Sequence, residues 1–311
     1  MAKDINKILI TGSSGTIGTR LFEKLLEQNY EVIGIDRKPN IWQAKLNQLT
    51  IKGDLLEKKG VNKIPTDIDL IIHLAANARV YNLVINPALA LENIITTHNI
   101  LEFARKNKIR KFIFSSSREV YGNKEKIISK EDDVNIQLCE SPYTASKIAD
   151  EALIHAYHKC FGIDYIIFRF SNVYGKYDQS DRFVPLMIRK MLKNQNVYIF
   201  GKNKLLDFTY IDDCINGIIK GINKFPKVKN DTFNIASGKA DKLIDVANLL
   251  KQSLRSKSKI FIKPNRPGEV VQYIANISKA KKILDYQPKY SIQKGIKLSI
   301  NWYVENQSLA L

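Results

Sequence analysis

The sequence predicts an α/β fold: a doubly wound parallel sheet followed by a smaller C-terminal α/β lobe. Three observations carry this. Short apolar runs alternate with helical stretches through the first half of the chain. A glycine-spaced loop stands between the first run and the first helix. After Asn172 the alternation yields to shorter strands and to loops rich in Asp, Asn and Lys.

Taken in order, Lys7 to Thr11 is an apolar run, then comes Gly12-Ser13-Ser14-Gly15-Thr16-Ile17-Gly18, then Leu21, Leu25 and Leu26 at helical spacing. This reads as strand, glycine loop, helix. Further strands are expected at Glu31 to Ile35, closed by Asp36, at Thr50 to Lys52, and at Leu70 to Leu74, which runs into Ala75-Ala76-Asn77. A helix from Pro87 to Lys106 precedes a strand from Lys111 to Phe114, which opens into Ser115-Ser116-Ser117. A helix from Tyr143 to Cys160 precedes a strand from Tyr165 to Phe170. Right-handed β-α-β crossovers then place these strands in one parallel sheet. The expected division is residues 1–171 for a dinucleotide-binding domain of Rossmann type and residues 172–311 for a substrate-binding lobe, with segments free to cross between them.

The 311 residues are 44% hydrophobic and 26% charged, which excludes disorder, a fibrous repeat and a disulfide-stapled module. Lys and Arg number 49 against 31 Asp and Glu, a net charge of +18. The basic residues are spread thinly from Lys3 to Lys297, so a solvated, biased surface is expected rather than a specific nucleic-acid site. Cys139, Cys160 and Cys214 lie far apart, with no spacing suited to zinc or a redox dithiol, so no metal is expected. The apolar stretch near the start covers only Ile8 to Ile10, and no run approaches a membrane span. A cytoplasmic protein is therefore the expectation.

Gly12, Gly15 and Gly18 follow a strand and open a helix, where backbone N–H groups hold a pyrophosphate and a Cβ in the turn would keep it away. Asp36 closes the second strand, near the distance at which an acid bonds an adenosine ribose. Its carboxylate repels a 2′-phosphate, so NAD is expected over NADP, with Arg37 the opposing feature. Tyr143 and Lys147 are one helical turn apart on one face. An ammonium beside a phenol favours the phenolate, as proton transfer near neutrality requires. The serines that end the preceding strand offer a hydroxyl to the same reacting oxygen.

Further segments join these: Asp54-Leu55, His73-Leu74-Ala75-Ala76, Asn93, Ser115-Ser116-Ser117-Arg118-Glu119-Val120-Tyr121-Gly122, and Pro142-Tyr143-Thr144-Ala145-Ser146-Lys147. Beyond them come Arg169-Phe170-Ser171-Asn172-Val173-Tyr174-Gly175, Asp207-Phe208-Thr209-Tyr210-Ile211-Asp212-Asp213 and Arg266-Pro267-Gly268-Glu269. With this set, running in order along nearly the whole chain, the sequence resembles the extended short-chain dehydrogenases/reductases. Within them it is similar to the NAD-dependent nucleotide-sugar epimerase/dehydratase family, UDP-glucose 4-epimerase-like proteins included.

The resemblance implies roles. Thr16, Ile17 and Leu74 fall within the cofactor motifs, Asp54 and Leu55 would flank the adenine, Ala75 and Ala76 would line the cofactor path, and Lys147 would also hold the nicotinamide ribose. Ser117 matches the family's catalytic Ser/Thr and Tyr143 its base. Asn172 would contact the sugar nucleotide and Arg266 its diphosphate, through two charge-assisted hydrogen bonds. Tyr143 would take the proton of a sugar hydroxyl, most simply at C4, as hydride passes from the same carbon to the nicotinamide. The resulting 4-keto sugar, turned over in the site, takes hydride back on its other face. Relatives pair the helices corresponding to Pro87–Lys106 and Tyr143–Cys160 across a two-fold axis, which implies a homodimer.

Two departures stand out. Where family dehydratases resemble Thr-Asp-Glu, this chain has Ser117-Arg118-Glu119. A guanidinium stays protonated and donates no proton at working pH, which weakens ordinary 4,6-dehydration, while Glu119 keeps a proton-abstracting role open. Leu206 stands where many relatives carry an Arg for the diphosphate, and Arg182 or Lys204 is expected to compensate. A UDP-sugar 4-epimerase is the favoured function. Dehydratase, decarboxylase or 4-keto reductase chemistry is the alternative within the family. A non-catalytic NAD-binding or RNA-associated protein is the alternative outside it, and Ser117, Tyr143 and Lys147 speak against that one.

Overall fold

The computed structural model describes residues 5–310. Seven parallel strands form the large sheet, in the spatial order Asp231–Ile235, Asp164–Phe170, Lys111–Ser117, Leu70–His73, Lys7–Thr11, Glu31–Asp36, Thr50–Lys52. Strand order reverses between Lys7–Thr11 and Leu70–His73, so a crevice opens beyond their C-terminal ends, where open α/β sheets hold ligands.

Both faces of this sheet are covered, and the two-residue period of a strand distributes its side chains between two cores. Ile8 and Ile10 join one core with Leu21, Phe22, Leu70 and Ile72. Leu9 joins the other with Ile71, Phe112, Phe114 and Ile167. Ala88–Lys106 and Pro142–Phe161 are side by side over the second core, where the Tyr157 hydroxyl donates to Glu102 Oε1 at 2.8 Å.

The smaller lobe has a sheet ordered Ala240–Lys242, Leu205–Tyr210, Gln272–Ala275, Ile128–Ser129, with Asn172–Tyr174 paired to the far end of Leu205–Tyr210. A parallel pair joins Ile260–Lys263 to Val197–Phe200. Two strands lie in the lobe that the other half of the chain builds. Ile128–Ser129, from the first half, lies in the smaller sheet, and Asp231–Ile235, from the second half, is the edge strand of the large one. Asp207 fastens the smaller lobe: its carboxylate accepts from the Ser237 and Gly238 N–H groups at 3.0 and 2.9 Å and from the Ser237 hydroxyl at 2.7 Å. Among the described residues no helix is long and apolar enough to cross a membrane.

Candidate active site

The glycine loop sits where the crevice predicts. Gly12 has φ +68°, and a Cβ there would stand 2.8 Å from the Ala75 nitrogen. A Cβ on Gly18 would stand 2.2 Å from the Gly12 carbonyl oxygen. The turn therefore stays tight against the start of Thr16–Glu27, whose first turn carries no acid. That is the cradle a dinucleotide pyrophosphate requires.

Asp36 is fixed beside it by the Ser14 N–H at 3.0 Å and the Lys38 N–H at 2.9 Å. A pocket of about 180 Å³ lined by Asp36, Asp54, Leu55, Leu74, Ala75 and Ala76 opens off the loop. Arg37 is drawn to two carboxylates, 3.7 Å from Asp54 and 3.9 Å from Glu92, and is half exposed. Its charge is thus already offset, which leaves little to attract a 2′-phosphate.

Thr11 and His73 close the two strands that flank the crevice. Thr11 Oγ1 accepts from the Leu74 and Ala75 N–H groups at 3.1 and 3.2 Å, so its own proton goes to His73 Nδ1 at 2.7 Å. That assigns the other proton to Nε2, which donates to Thr97 Oγ1 at 3.2 Å. Burial, with Lys147 nearby, pushes the His73 imidazole down to about 3, so it is neutral here. This uncharged link fastens the Leu74-Ala75 turn to the first strand.

The main cleft, about 500 Å³, is lined by Ser117, Tyr143 and Lys147 together with Gly12, Gly15, Thr16, Ile17, Gly18, Leu74 and Ala76. The strand expected to stop at Phe114 continues through Ser117, because all three serines pair with Phe168, Arg169 and Phe170 of the neighbouring strand. Ser115 and Ser117 therefore share one face of the sheet and Ser116 the other. The Ser115 carbonyl accepts from Lys147 Nζ at 3.1 Å, and Ser117 Oγ accepts the Glu119 N–H at 3.2 Å.

The helix carrying Tyr143 and Lys147 starts at Pro142, and Ser141 caps it, its Oγ accepting the Thr144 N–H at 3.1 Å. Lys147 Nζ lies 4.5 Å from the centre of the Phe114 ring and 3.7 Å from Asp150 Oδ2. Burial pushes the Asp150 carboxyl up to about 6, against the pull of Lys147 and the Thr97 hydroxyl. Beneath this, Glu151 takes Arg169 on both carboxylate oxygens, at 2.9 and 2.6 Å, and also accepts from Ser116. The pair is buried, and it locks the helix to two strands directly behind Ser117 and Tyr143. His155 and His158 share contacts with Tyr165 and serve packing.

Arg118 and Glu119 also line the cleft and are buried. Arg118 Nη2 meets Glu119 Oε1 at 2.7 Å, and the guanidinium carbon lies 5.6 Å from the Tyr273 ring centre. Burial pushes the Glu119 carboxyl up, opposed chiefly by Arg118. Arg118 Nη1 and Glu119 Oε2 have no hydrogen-bond partner among the described residues.

Asn172, Arg182 and Arg266 reach the same cleft from the smaller lobe. Asn172 donates to the Asp207 carbonyl at 3.0 Å. Leu206 is on the wall, as the sequence implies. Lys204, expected as one possible replacement for the missing Arg, is ion-paired with Glu269, so its charge is committed within the protein. Sequence reasoning missed Arg79 and Tyr81, which line the cleft three to five residues past Ala76. The available signal was a lone basic residue just beyond the strand that enters the crevice.

Residues 8–236 match the NAD dependent epimerase/dehydratase family. YtcB, an uncharacterised UDP-glucose epimerase of Bacillus subtilis, is 34% identical over 93% of this chain and 95% of that protein. The UDP-glucose 4-epimerase of Thermotoga maritima, solved with UDP-glucose, is 30% identical with a TM-score of 0.88, covering 97% of this chain and 99% of that one. The UDP-glucuronic acid 4-epimerase of Bacillus cereus, solved with UDP-glucuronic acid and NAD, is 32% identical with a TM-score of 0.89, covering 96% and 99%. With the glycine cradle, the serine strand and the Tyr143-Lys147 helix turned into one cleft, this chain belongs to the NAD-dependent epimerase/dehydratase family.

Proposed function

We propose that the chain is a nucleotide-sugar 4-epimerase that acts on a UDP-linked sugar through a 4-keto intermediate. The observation that carries this reading is the Arg118–Glu119 ion pair of 2.7 Å, standing where a dehydratase would need a free acid and a free base beside Ser117. The likeness to two 4-epimerases solved with UDP-sugars supports the choice of substrate class.

NAD, when bound, supplies the acceptor and donor of hydride. The chain's own residues do the rest. The glycine cradle and Asp36 would hold the dinucleotide, and Lys147 would hold its nicotinamide ribose. Tyr143 takes the proton from the sugar C4 hydroxyl and returns it after the keto sugar has turned, while Ser117 donates to the same oxygen. Asn172, Arg182 and Arg266 hold the nucleotide end, so that rotation exchanges only the faces of the sugar. Glu119, held by Arg118, supports the wall beside Ser117 and exchanges no carbon-bound proton. The active form is a homodimer, the helices Ala88–Lys106 and Pro142–Phe161 of two copies meeting on their outer faces.

The test is incubation of the purified chain with UDP-, GDP- and dTDP-sugars in deuterated water, products read by mass and NMR. The expected product has an unchanged mass, inverted configuration at C4 and no deuterium at C5. Loss of water with strong C5 exchange would move the reading to dehydratase chemistry, and loss of carbon dioxide would move it to a decarboxylase.

A further inference from the structure

Three guanidinium groups meet at the nucleotide end of the cleft: Arg79, Arg182 and Arg266. Arg266 lies against two rings, its central carbon 3.8 Å from the Phe200 ring centre and 4.6 Å from that of Tyr81. A guanidinium held against aromatic rings keeps its N–H edge as its donor surface. Tyr81 comes from the same short segment as Arg79, so one stretch of chain both orients Arg266 and adds a second cation beside it.

Arg79 itself is the anomaly. It is partly buried, and its Nη1 is enclosed yet without a hydrogen-bond partner among the described residues. Arg182 and Arg266 repel it; Asp181 and Asp178 oppose them, but neither carboxylate bonds Nη1, and Asp181 is paired with Arg189 at 3.2 Å. Enclosing a cationic N–H without a hydrogen bond is unfavourable, so the unmatched Nη1 beside two further guanidiniums is a place for an anion. Leu206 and Lys204 add no free cation here: Leu206 is apolar and Lys204 is held by Glu269.

Resting on the reading of the substrate as a nucleoside-diphosphate sugar, we infer that Arg79 binds the substrate diphosphate and takes the place of the cation absent at Leu206. It acts with Arg266, whose guanidinium, held against the two rings, presents its N–H edge, while Arg79 donates from the opposite side of the phosphates. The dinucleotide pyrophosphate is a different anion, held by backbone at the glycine cradle, and Arg79 makes no contribution to it.

The test is calorimetric titration of the NAD-loaded wild type, Arg79→Ala and Arg79→Lys with UDP, UMP and uridine, with GDP and dTDP as controls for base preference. In Arg79→Ala, UDP binding weakens about 10- to 100-fold, UMP binding changes less, and uridine binding does not change. Arg79→Lys recovers part of the loss, and NAD affinity stays within about twofold in both variants, which also reports that they are folded. A wild type that binds none of the three nucleoside diphosphates overturns the nucleotide-sugar reading and this assignment with it. A wild type that binds UDP as tightly as Arg79→Ala does overturns the Arg79 assignment alone. Equal loss of NAD and UDP also overturns it, because Arg79 then serves the cofactor or the fold.

Discussion

Lys147 Nζ, which lines the cleft, stands 3.7 Å from Asp150 Oδ2, and both side chains are buried. The carboxylate is a positioning group for the ammonium, which in turn stands on the same helical face as Tyr143. Because burial raises Asp150 to about 6, its charge is lost just below neutrality. The activity of the wild type is therefore expected to fall as pH drops through about 6. In Asp150→Asn that inflection disappears and kcat is low at every pH, while KM for the sugar nucleotide changes little. A pH profile identical to that of the wild type removes Asp150 from this role.

Tyr143→Phe keeps the ring that packs with Leu83 and Ala90 and removes only the oxygen. NAD binding is expected to be near normal and turnover to fall by about 10²-fold or more. Stopped-flow absorbance of the reduced cofactor during a single turnover checks the loss at the chemical step, and retained turnover rules out Tyr143 as the base.

Asp36→Ala removes the carboxylate next to the glycine loop without touching Arg37, which keeps Asp54 and Glu92. Affinity for NAD should fall about tenfold or more, while NADP, relieved of repulsion from Asp36, loses little or gains. Parallel titrations with the two cofactors decide it, and equal losses contradict a preference set by Asp36.

His73 contributes a pH dependence of stability with a definite sign. Its folded pKa, about 3, is depressed below the usual value of 6.5, so below 6.5 the unfolded chain binds the extra proton. Stability from this group is complete above about 6.5 and is lost progressively down to about 3, with a slope of up to about 1.4 kcal/mol per pH unit. Urea unfolding at a series of pH values measures that slope, and His73→Gln flattens it. An unchanged slope in the variant assigns the acid sensitivity elsewhere.

Leu91 and Ile95, one turn apart on the helix Ala88–Lys106, are 62% and 45% exposed, so the outer face of that helix is apolar. If two copies meet there, Leu91→Glu with Ile95→Glu converts a dimer to a monomer in light scattering at micromolar concentration, with the far-ultraviolet circular dichroism unchanged. A wild type that scatters as a monomer refutes the dimer outright.

The large sheet was legible in the sequence because each strand is a compact apolar run next to a helical pattern, and parallel strands buried on both faces read that way. The glycine loop, Asp36, Ser117, Tyr143 and Lys147 were legible because their chemistry depends on local spacing. The edge strand Asp231–Ile235 falls among the shorter strands expected after Asn172, but its membership of the large sheet was not legible, since nothing local says which sheet a strand joins. The continuation through Ser115-Ser116-Ser117 was hidden because serine marks a loop by composition, and only pairing with Phe168 to Phe170 overrides that. Arg79 and the Lys204–Glu269 pair are tertiary facts: the first depends on a cleft wall drawn from two lobes, the second on side chains far apart in the chain.

The return of Asp231–Ile235 to the large sheet bears on synthesis. A nascent chain that has emerged only as far as Asn172 already holds the glycine cradle, Ser117, Tyr143 and Lys147, yet Asp164–Phe170 is still a bare sheet edge. Such an edge is a template for pairing with another chain. The interval while residues 173 to 235 leave the ribosome is therefore the vulnerable period in the life of this protein, and substitutions that slow or mispair the returning strand will reduce soluble yield without touching a single group in the cleft.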